Sequence, residues 1–410
     1  MKVLVILPYS SIYPPANGGM LRCFHVLHQL VKRFETTAIM FQEKDSFLKC
    51  IQDYPSFERC NVVSVLSPVF SGIWKKCPSF LRAALQYRLW KRTVKGPADG
   101  HFLQYYAALR SVLVEQSPDV IVLENTSCLN AVPVIRRFSP RSKIVLNAHN
   151  VDSDLAKEDY KKGLIRKKDW QRMLFMESNL WKTTDAFFAC STLDQQRLLQ
   201  LNKKRIPAAV IPNGVEIKPV KDLKATRGKR FLFCGSLDYH PNREGVQWFL
   251  NQCWSKIKGQ EREAHLDIIG SGDPGELKDL VSKFDGVSLH GRVPSVEPWY
   301  SNSDIVIVPL LHGSGTRLKV LEAMSFSKPV VSTTKGAEGI DYIKNKHLLI
   351  ADNGNDFSDA CCHLLNQQQL AADLGSNARN LVVQHYDWDI VGEQLSQFIQ
   401  SLTTTSKNAD

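Results

Sequence analysis

At 410 residues, with 43% hydrophobic and 23% charged residues, the chain fits two soluble domains of about 150–200 residues each and holds no apolar run of membrane-spanning length. Its ten cysteines form no C-x-x-C pair and, apart from the neighbours Cys361 and Cys362, stand singly, which argues against a disulfide framework or a zinc site and for buried free thiols. The formal net charge of +11 calls for an anionic partner, be it nucleic acid, an anionic membrane or a phosphorylated substrate.

The first apolar run, Val3–Leu7, is shorter than a signal-peptide core and leads into a loop with Pro14, Pro15, Asn17, Gly18 and Gly19. The expectation is a cytoplasmic chain, with any membrane contact peripheral and at the inner face. A helical pattern over Met20–Arg33 follows the loop. Adjacent glycines at a helix start let backbone approach an anion, but the G-x-G-x-x-G spacing is missing, which argues against a dinucleotide cofactor.

Further apolar runs over Thr37–Phe41, Asn61–Leu66, Val120–Leu123, Lys143–Asn147, Asp185–Cys190 and Ala209–Ile211 read as buried parallel strands, with helical patterns such as Thr192–Leu201 between them. Among these, residues 73–95 carry Lys75, Lys76, Arg82, Arg88, Lys91, Arg92 and Lys95 interleaved with Trp74, Phe80 and Trp90. That pattern suits either an interfacial helix on anionic lipid or an ordinary surface helix with one face in the core. A second basic stretch, Lys157–Arg172, reads as solvated, and no nucleic-acid reader motif accompanies the charge.

After Asn213 and Gly214 the polar, basic stretch Glu216–Lys229 reads as a linker. Strand patterns then resume over Arg230–Cys234, His265–Ile269, Val287–Leu289, Ile305–Val308, Pro329–Ser332 and Leu348–Ile350. The expected architecture is α/β, with two doubly wound, Rossmann-like domains at 1–215 and 229–385, a linker at 216–228, and residues 386–410 crossing back as a helix and tail.

The segment Leu310–Ser332, LLHGSGTRLKVLEAMSFSKPVVS, carries the most chemistry. A strand runs into Gly313-Ser314-Gly315, and a helix is expected from about Thr316. A glycine loop capped by a helix N-terminus cradles anions, and Arg317 and Lys319 in the first turn oppose the macrodipole unless an anion sits there. Lys319 and Glu322 share a helix face at i and i+3, where the bland reading is a weak ion pair.

At these residues the chain resembles glycosyltransferase family four, which has the GT-B fold: two Rossmann-like domains and an interdomain cleft. The resemblance rests on Leu321-Glu322-Ala323-Met324, Lys328-Pro329-Val330-Val331-Ser332-Thr333, the Gly18-Gly19 loop, His149, Ile211-Pro212-Asn213-Gly214-Val215, the Gly235 loop and Gly270-Ser271-Gly272. It implies a retaining, metal-independent transferase without a cofactor, moving a sugar from a nucleoside-diphosphate donor to a saccharide or lipid-linked acceptor, in cell-surface polysaccharide or glycolipid assembly. Two other readings stay open: a sugar-nucleotide epimerase of the same fold and a non-catalytic membrane-surface binding protein.

By that resemblance Glu322 matches the second glutamate of the E-x7-E motif and takes the donor ribose. The first glutamate has no clean match, since His312 precedes the glycines. Arg317 and Lys319 stand in for the basic pair absent from the loop Gly235-Ser236-Leu237-Asp238-Tyr239-His240-Pro241-Asn242. Gly18, Gly19, Asn213, Gly235, Gly270, Arg292, Val293, Gly313, Ser314, Gly315 and Thr316 are the expected donor contacts. His149 is expected to face donor sugar and acceptor, with Glu124 and Asn150 touching the acceptor.

Overall fold

The computed structural model describes residues 1–9, 12–15, 17–40, 47–65, 102–217, 228–313 and 317–404. The basic aromatic segment 73–95 and the bulk of the expected linker, residues 218–227, lie outside the described residues. The chain divides into two compact units, one formed by Met1–Ile211 with Gly392–Asp410 and the other by Pro212–Val391.

The first unit holds a seven-stranded parallel sheet: β1 (Lys2–Ile6), β2 (Glu35–Met40), β3 (Asn61–Ser64), β4 (Val120–Glu124), β5 (Lys143–Ala148), β6 (Ala186–Ala189) and β7 (Ala208–Val210). Their order across the sheet is β3-β2-β1-β4-β5-β6-β7. The second unit holds β8 (Arg230–Cys234), β9 (His265–Ile269), β10 (Val287–Gly291), β11 (Ile305–Val308), β12 (Val330–Ser332) and β13 (Leu349–Ile350) in the order β10-β9-β8-β11-β12-β13. Both orders reverse next to the first strand of their sheet, between β1 and β4 and between β8 and β11, which is the doubly wound topology with its ligand-binding switch point. Every expected strand is present, with ends within two residues.

Why these runs become strands is visible in their burial. Central strands such as β4 and β11 are buried at every position, while edge strands β7, β10 and β13 are only half-buried. Side chains alternate between faces with period two. Thus Phe231, Phe233, Ile305, Ile307 and Val331 enter one core, and Leu232, Val306, Val308 and Val330 enter another on the opposite face. The first unit has its own core around Leu4, Ile6, Ile121, Leu123, Ile144, Leu146 and Phe187.

Two expected boundaries shift. Val215 belongs with the second unit, because its N–H donates to Tyr386 O (2.7 Å) and it bridges to Asp387, so the division falls after Ile211. The C-terminal helix Trp388–Thr404 is shared: residues 386–391 stay with the second unit and Gly392 onward joins the first. The described cysteines are free thiols. No described helix is long and apolar enough to cross a membrane.

Candidate functional site

In the second unit all strands are parallel, so the loops after β8, β9, β10, β11 and β12 meet along one sheet edge. Gly235 follows β8 and Gly270 follows β9. A Cβ on Gly270 would overlap the Gly235 carbonyl oxygen, so the two loops lie backbone against backbone. Leu237 N–H donates to Ser271 O (2.6 Å), and Asp238 Oδ1 accepts from Asp273 N–H (2.8 Å), which locks the Gly270-Ser271-Gly272 loop onto the loop after β8.

The helix Leu318–Ser325 crosses this edge, burying Val320, Leu321, Ala323 and Met324. It begins two residues later than expected, because Arg317 has a non-helical backbone (φ −83°, ψ 81°). Arg317 is therefore a buried cap-position cation whose Nε donates to Lys335 O (3.2 Å). Lys319 remains in the first turn. Its Nζ donates to Asn242 Oδ1 (2.7 Å), lies 4.4 Å from the Phe233 ring centre, and would sit 2.5 Å from a Cβ on Gly235. The residue as a whole is half-buried, but the packing around Nζ brings the ammonium down to about 7, with Arg317 repulsion adding to desolvation.

Glu322, on the same helix, accepts from the buried Tyr300 Oη at 2.8 Å through Oε2, and Tyr300 stacks on Phe326 at 4.9 Å. The beside-lying Cys234 thiol is pushed up to about 12 by burial and by the Glu322 charge, so it acts as packing. Gly313 holds φ +102°, and a Cβ there would meet Tyr239 Oη at 2.6 Å. Ser314, Gly315 and Thr316 lie outside the described residues. Arg292, exposed, and Val293, half-buried, occupy the turn after β10, and Asn213 is buried. The arrangement can hold a diphosphate: two cations and close-packed backbone at one corner, and a fixed carboxylate one helical turn away.

The first unit gathers a different set at its own switch point. Glu124 ends β4 with no exposed surface. Its Oε2 takes hydrogen bonds from Asn147 Nδ2 (2.7 Å) and Cys23 Sγ (3.3 Å) and lies 3.0 Å from His149 Nε2. Buried Arg22 donates from Nε to Asn147 Oδ1 (2.9 Å) and from Nη2 to Ile211 O (2.9 Å). The expected acceptor contact by Glu124 is thus corrected, since a carboxylate sealed from solvent cannot touch a bound saccharide. It holds His149 instead. Burial and the Glu124 charge push the Cys23 thiol well up. The donor atoms of Cys23, Glu124 and His149 lie within 4.8 Å of one another, close enough to share a metal ion, and the buried Glu124 Oε1 has no hydrogen-bond partner among the described residues.

His149 is 9% exposed, and Asn150 beside it is half-buried. The loop they form is fixed from behind. Glu177 accepts from the N–H groups of Asp152 (2.7 Å) and Ser153 (3.0 Å), capping the helix Asp152–Lys161. Burial, with Asp152 adding, raises the Glu177 carboxyl to about 7. At the other glycine pair, Asn17 Oδ1 takes the Met20 N–H (2.9 Å), so the helix Gly18–Arg33 caps itself, and a Cβ on Gly19 would overlap Tyr9 Oη. Gly18 is exposed.

Comparison with known proteins decides what this geometry belongs to. Residues 73–218 match the family model described as Glycosyltransferase Family 4, and residues 228–367 match Glycosyl transferases group 1, so the two together take in most of the chain. The chain belongs to glycosyltransferase family four. An uncharacterized 44.6 kDa protein in the cps region of Klebsiella pneumoniae is 31% identical over 166 residues, 38% of this chain and 42% of that protein. Poly(ribitol-phosphate) alpha-N-acetylglucosaminyltransferase of Staphylococcus aureus (strain COL) is 32% identical over 130 residues, 29% of this chain and 26% of the relative. The chain therefore spans less than half the length of these two relatives. Lipopolysaccharide 1,2-N-acetylglucosaminetransferase of Salmonella typhimurium is 21% identical across 96% of this chain and 97% of its own. Among solved structures, Anabaena Alr3699/HepE in complex with UDP superposes with a TM-score of 0.70 at 16% identity, covering 98% of this chain and 100% of the other, which establishes the GT-B fold.

Within this chain Asn242, Tyr300, Asn147, Arg22 and Glu177 make contacts that the motifs did not announce. A signal existed for two of them. Asn147 interrupts an apolar strand, and Arg22 lies on the buried stripe of an amphipathic helix, both places where a polar side chain needs a partner.

Proposed function

We propose that the chain is a retaining glycosyltransferase that moves a sugar from a UDP-linked donor to a saccharide or lipid-linked acceptor during cell-surface polysaccharide assembly. The observation that carries this is the corner where Lys319 Nζ packs against Gly235 beside buried Arg317, with Glu322 held by Tyr300 on the same helix. UDP is favoured because HepE is solved with it, and an N-acetylglucosamine donor because two relatives are named for transferring that sugar.

In this reading Lys319, Arg317 and the loop N–H groups face the diphosphate, and their charge is aimed at the anion that grows as the sugar leaves. Glu322 accepts from two ribose hydroxyls. The bond from the anomeric carbon to the phosphate oxygen breaks while the acceptor oxygen attacks from the same face, and the acceptor proton passes to the departing phosphate oxygen. His149, oriented by Glu124, positions the sugar and acceptor hydroxyls and is not needed as the base. Asn150 is the remaining acceptor contact, and Gly18, Gly19, Asn213, Arg292 and Val293 complete the donor set. The reaction takes place in the cytoplasm, at the inner face of the membrane.

A thermal-shift screen of UDP, GDP and other nucleoside diphosphates, followed by acceptor-dependent UDP release from UDP-sugars, tests the reading. Stabilisation by UDP above the others is expected. No stabilisation by any of them would refute it, and isomerised donor without acceptor would point to an epimerase.

A further inference from the structure

The basic stretch Lys157–Arg172, read from sequence as solvated, has a more particular form. Helices Asp152–Lys161 and Lys167–Glu177 pair as a hairpin, with Tyr160 stacked on Trp170 across it (5.6 Å, 13°). Residues 157–172 hold seven cations (Lys157, Lys161, Lys162, Arg166, Lys167, Lys168, Arg172) against three acids (Glu158, Asp159, Asp169), a net +4. One of those acids is bound to Arg166 at 2.8 Å. Between the helices the turn exposes Leu164 at 70%, and Phe175 is exposed at 68%, in line with Lys168 and Gln171 at helical spacing. The base of the hairpin is fixed by the Glu177 cap and by the ion pair of Arg197 with Asp154 (2.7 Å). The hairpin, fixed at its base, thus presents Leu164 at its tip among exposed lysines.

We propose that this hairpin tip docks the protein onto an anionic lipid bilayer. Lys161, Lys162, Lys167 and Lys168 make no ion pair with any described residue, and near an anionic surface each is worth about fivefold in partition. Leu164 meets the headgroup–acyl boundary, with the Tyr160–Trp170 pair behind it, while Phe175 lies near the base of the hairpin. A soluble acidic polymer would satisfy the lysines and leave Leu164 in water. The hairpin starts three residues after His149, so docking holds that sheet edge about one helix length, some ~15 Å, from the headgroups. This inference does not depend on the sugar-transfer reading.

The test is co-sedimentation of the full chain with vesicles of phosphatidylcholine alone or with about one-third phosphatidylglycerol. The protein should pellet with the anionic vesicles only, and less so as salt rises. Replacing Lys161, Lys162, Lys167 and Lys168 together by serine should weaken partition by about 600-fold, and Leu164→Ser about tenfold. Both variants should melt like the parent, because all five side chains are exposed. Absence of vesicle binding by the parent overturns the proposal, as does undiminished binding by both variants, which would put the contact elsewhere. Loss on lysine replacement with none for Leu164→Ser, together with equal affinity for dextran sulfate, would make the tip a polyanion site and also overturn it.

Discussion

Among the described residues Lys319 Nζ has one hydrogen bond, to Asn242, and an aromatic face where water would offer three acceptors. Its ammonium accordingly loses its proton near pH 7, against the usual 10.5. Between about 7 and 10.5 the unfolded chain binds a proton that the folded chain does not, so this residue's contribution to stability grows with pH through that window and is lost as pH falls through 7. Lys319→Met should therefore stabilise the protein by about 1–3 kcal/mol near pH 6, with the gain vanishing toward pH 10. Urea denaturation at both pH values reads this directly, and equal stability of the two proteins at pH 6 would remove the argument. The same variant should bind UDP ten- to a hundredfold more weakly, since an opposite charge at about 4 Å is worth up to about 4 kcal/mol near a protein surface. In the parent, UDP affinity should fall as pH rises above 7, and calorimetry in buffers of different ionisation enthalpy should show proton uptake on binding. Legibility at this scale was uneven. Glu322, Lys319 and His149 stood out because they interrupt a motif or end a strand. The partners Tyr300 of Glu322, Asn242 of Lys319 and Asn147 of Glu124 did not, because a partner is chosen by three-dimensional proximity across 22, 77 and 23 residues of chain respectively.

At the scale of elements, the loops after β8 and β9 depend on two glycines for different reasons. A Cβ on Gly270 would strike the Gly235 carbonyl, backbone that cannot move without separating the two loops. A Cβ on Gly235 would strike the far end of Lys319 and the Asn242 amide, side-chain atoms that can swing away. Gly270→Ala should cost about 1–3 kcal/mol of stability. Gly235→Ala should melt close to the parent yet bind UDP at least tenfold more weakly, because it displaces the ammonium rather than the fold. Paired melting curves and UDP titrations separate the two, and a Gly235→Ala protein that binds normally would show that Lys319 does not face the diphosphate. The strands were easy to read, because parallel strands buried on both faces are short unbroken apolar runs such as IVIV in β11 and VIVLE in β4. The start of the Leu318–Ser325 helix was harder. Thr316 is an ordinary N-cap residue in sequence, but Arg317 is drawn to the Lys335 carbonyl and leaves helical geometry, a long-range contact that local propensity does not encode.

For the molecule as a whole, the chain assigns its chemistry to two units with separate cores, and the assignment has a measurable consequence. Two sheets and the point where the chain passes between them were legible from the restart of strand patterns after Gly214; the exact division was not, because Val215 is held by Tyr386, far along the chain. Donor binding, in the proposed mechanism, rests on Glu322 and Lys319 of the second unit, while His149 of the first contributes only once sugar and acceptor are in place. His149→Ala and Glu322→Ala should then fail differently. A ligand at 100 times its dissociation constant stabilises by about 2.7 kcal/mol, which for a unit of this size is a rise of about 5–10 °C in melting temperature. His149→Ala should keep that UDP-induced rise and lose transfer by on the order of 100-fold or more, whereas Glu322→Ala should lose both. If His149→Ala also abolished the UDP shift, the imidazole would belong to donor binding, and the Glu124–Asn147–Arg22 chain behind it would be shaping the nucleotide site rather than the acceptor's approach.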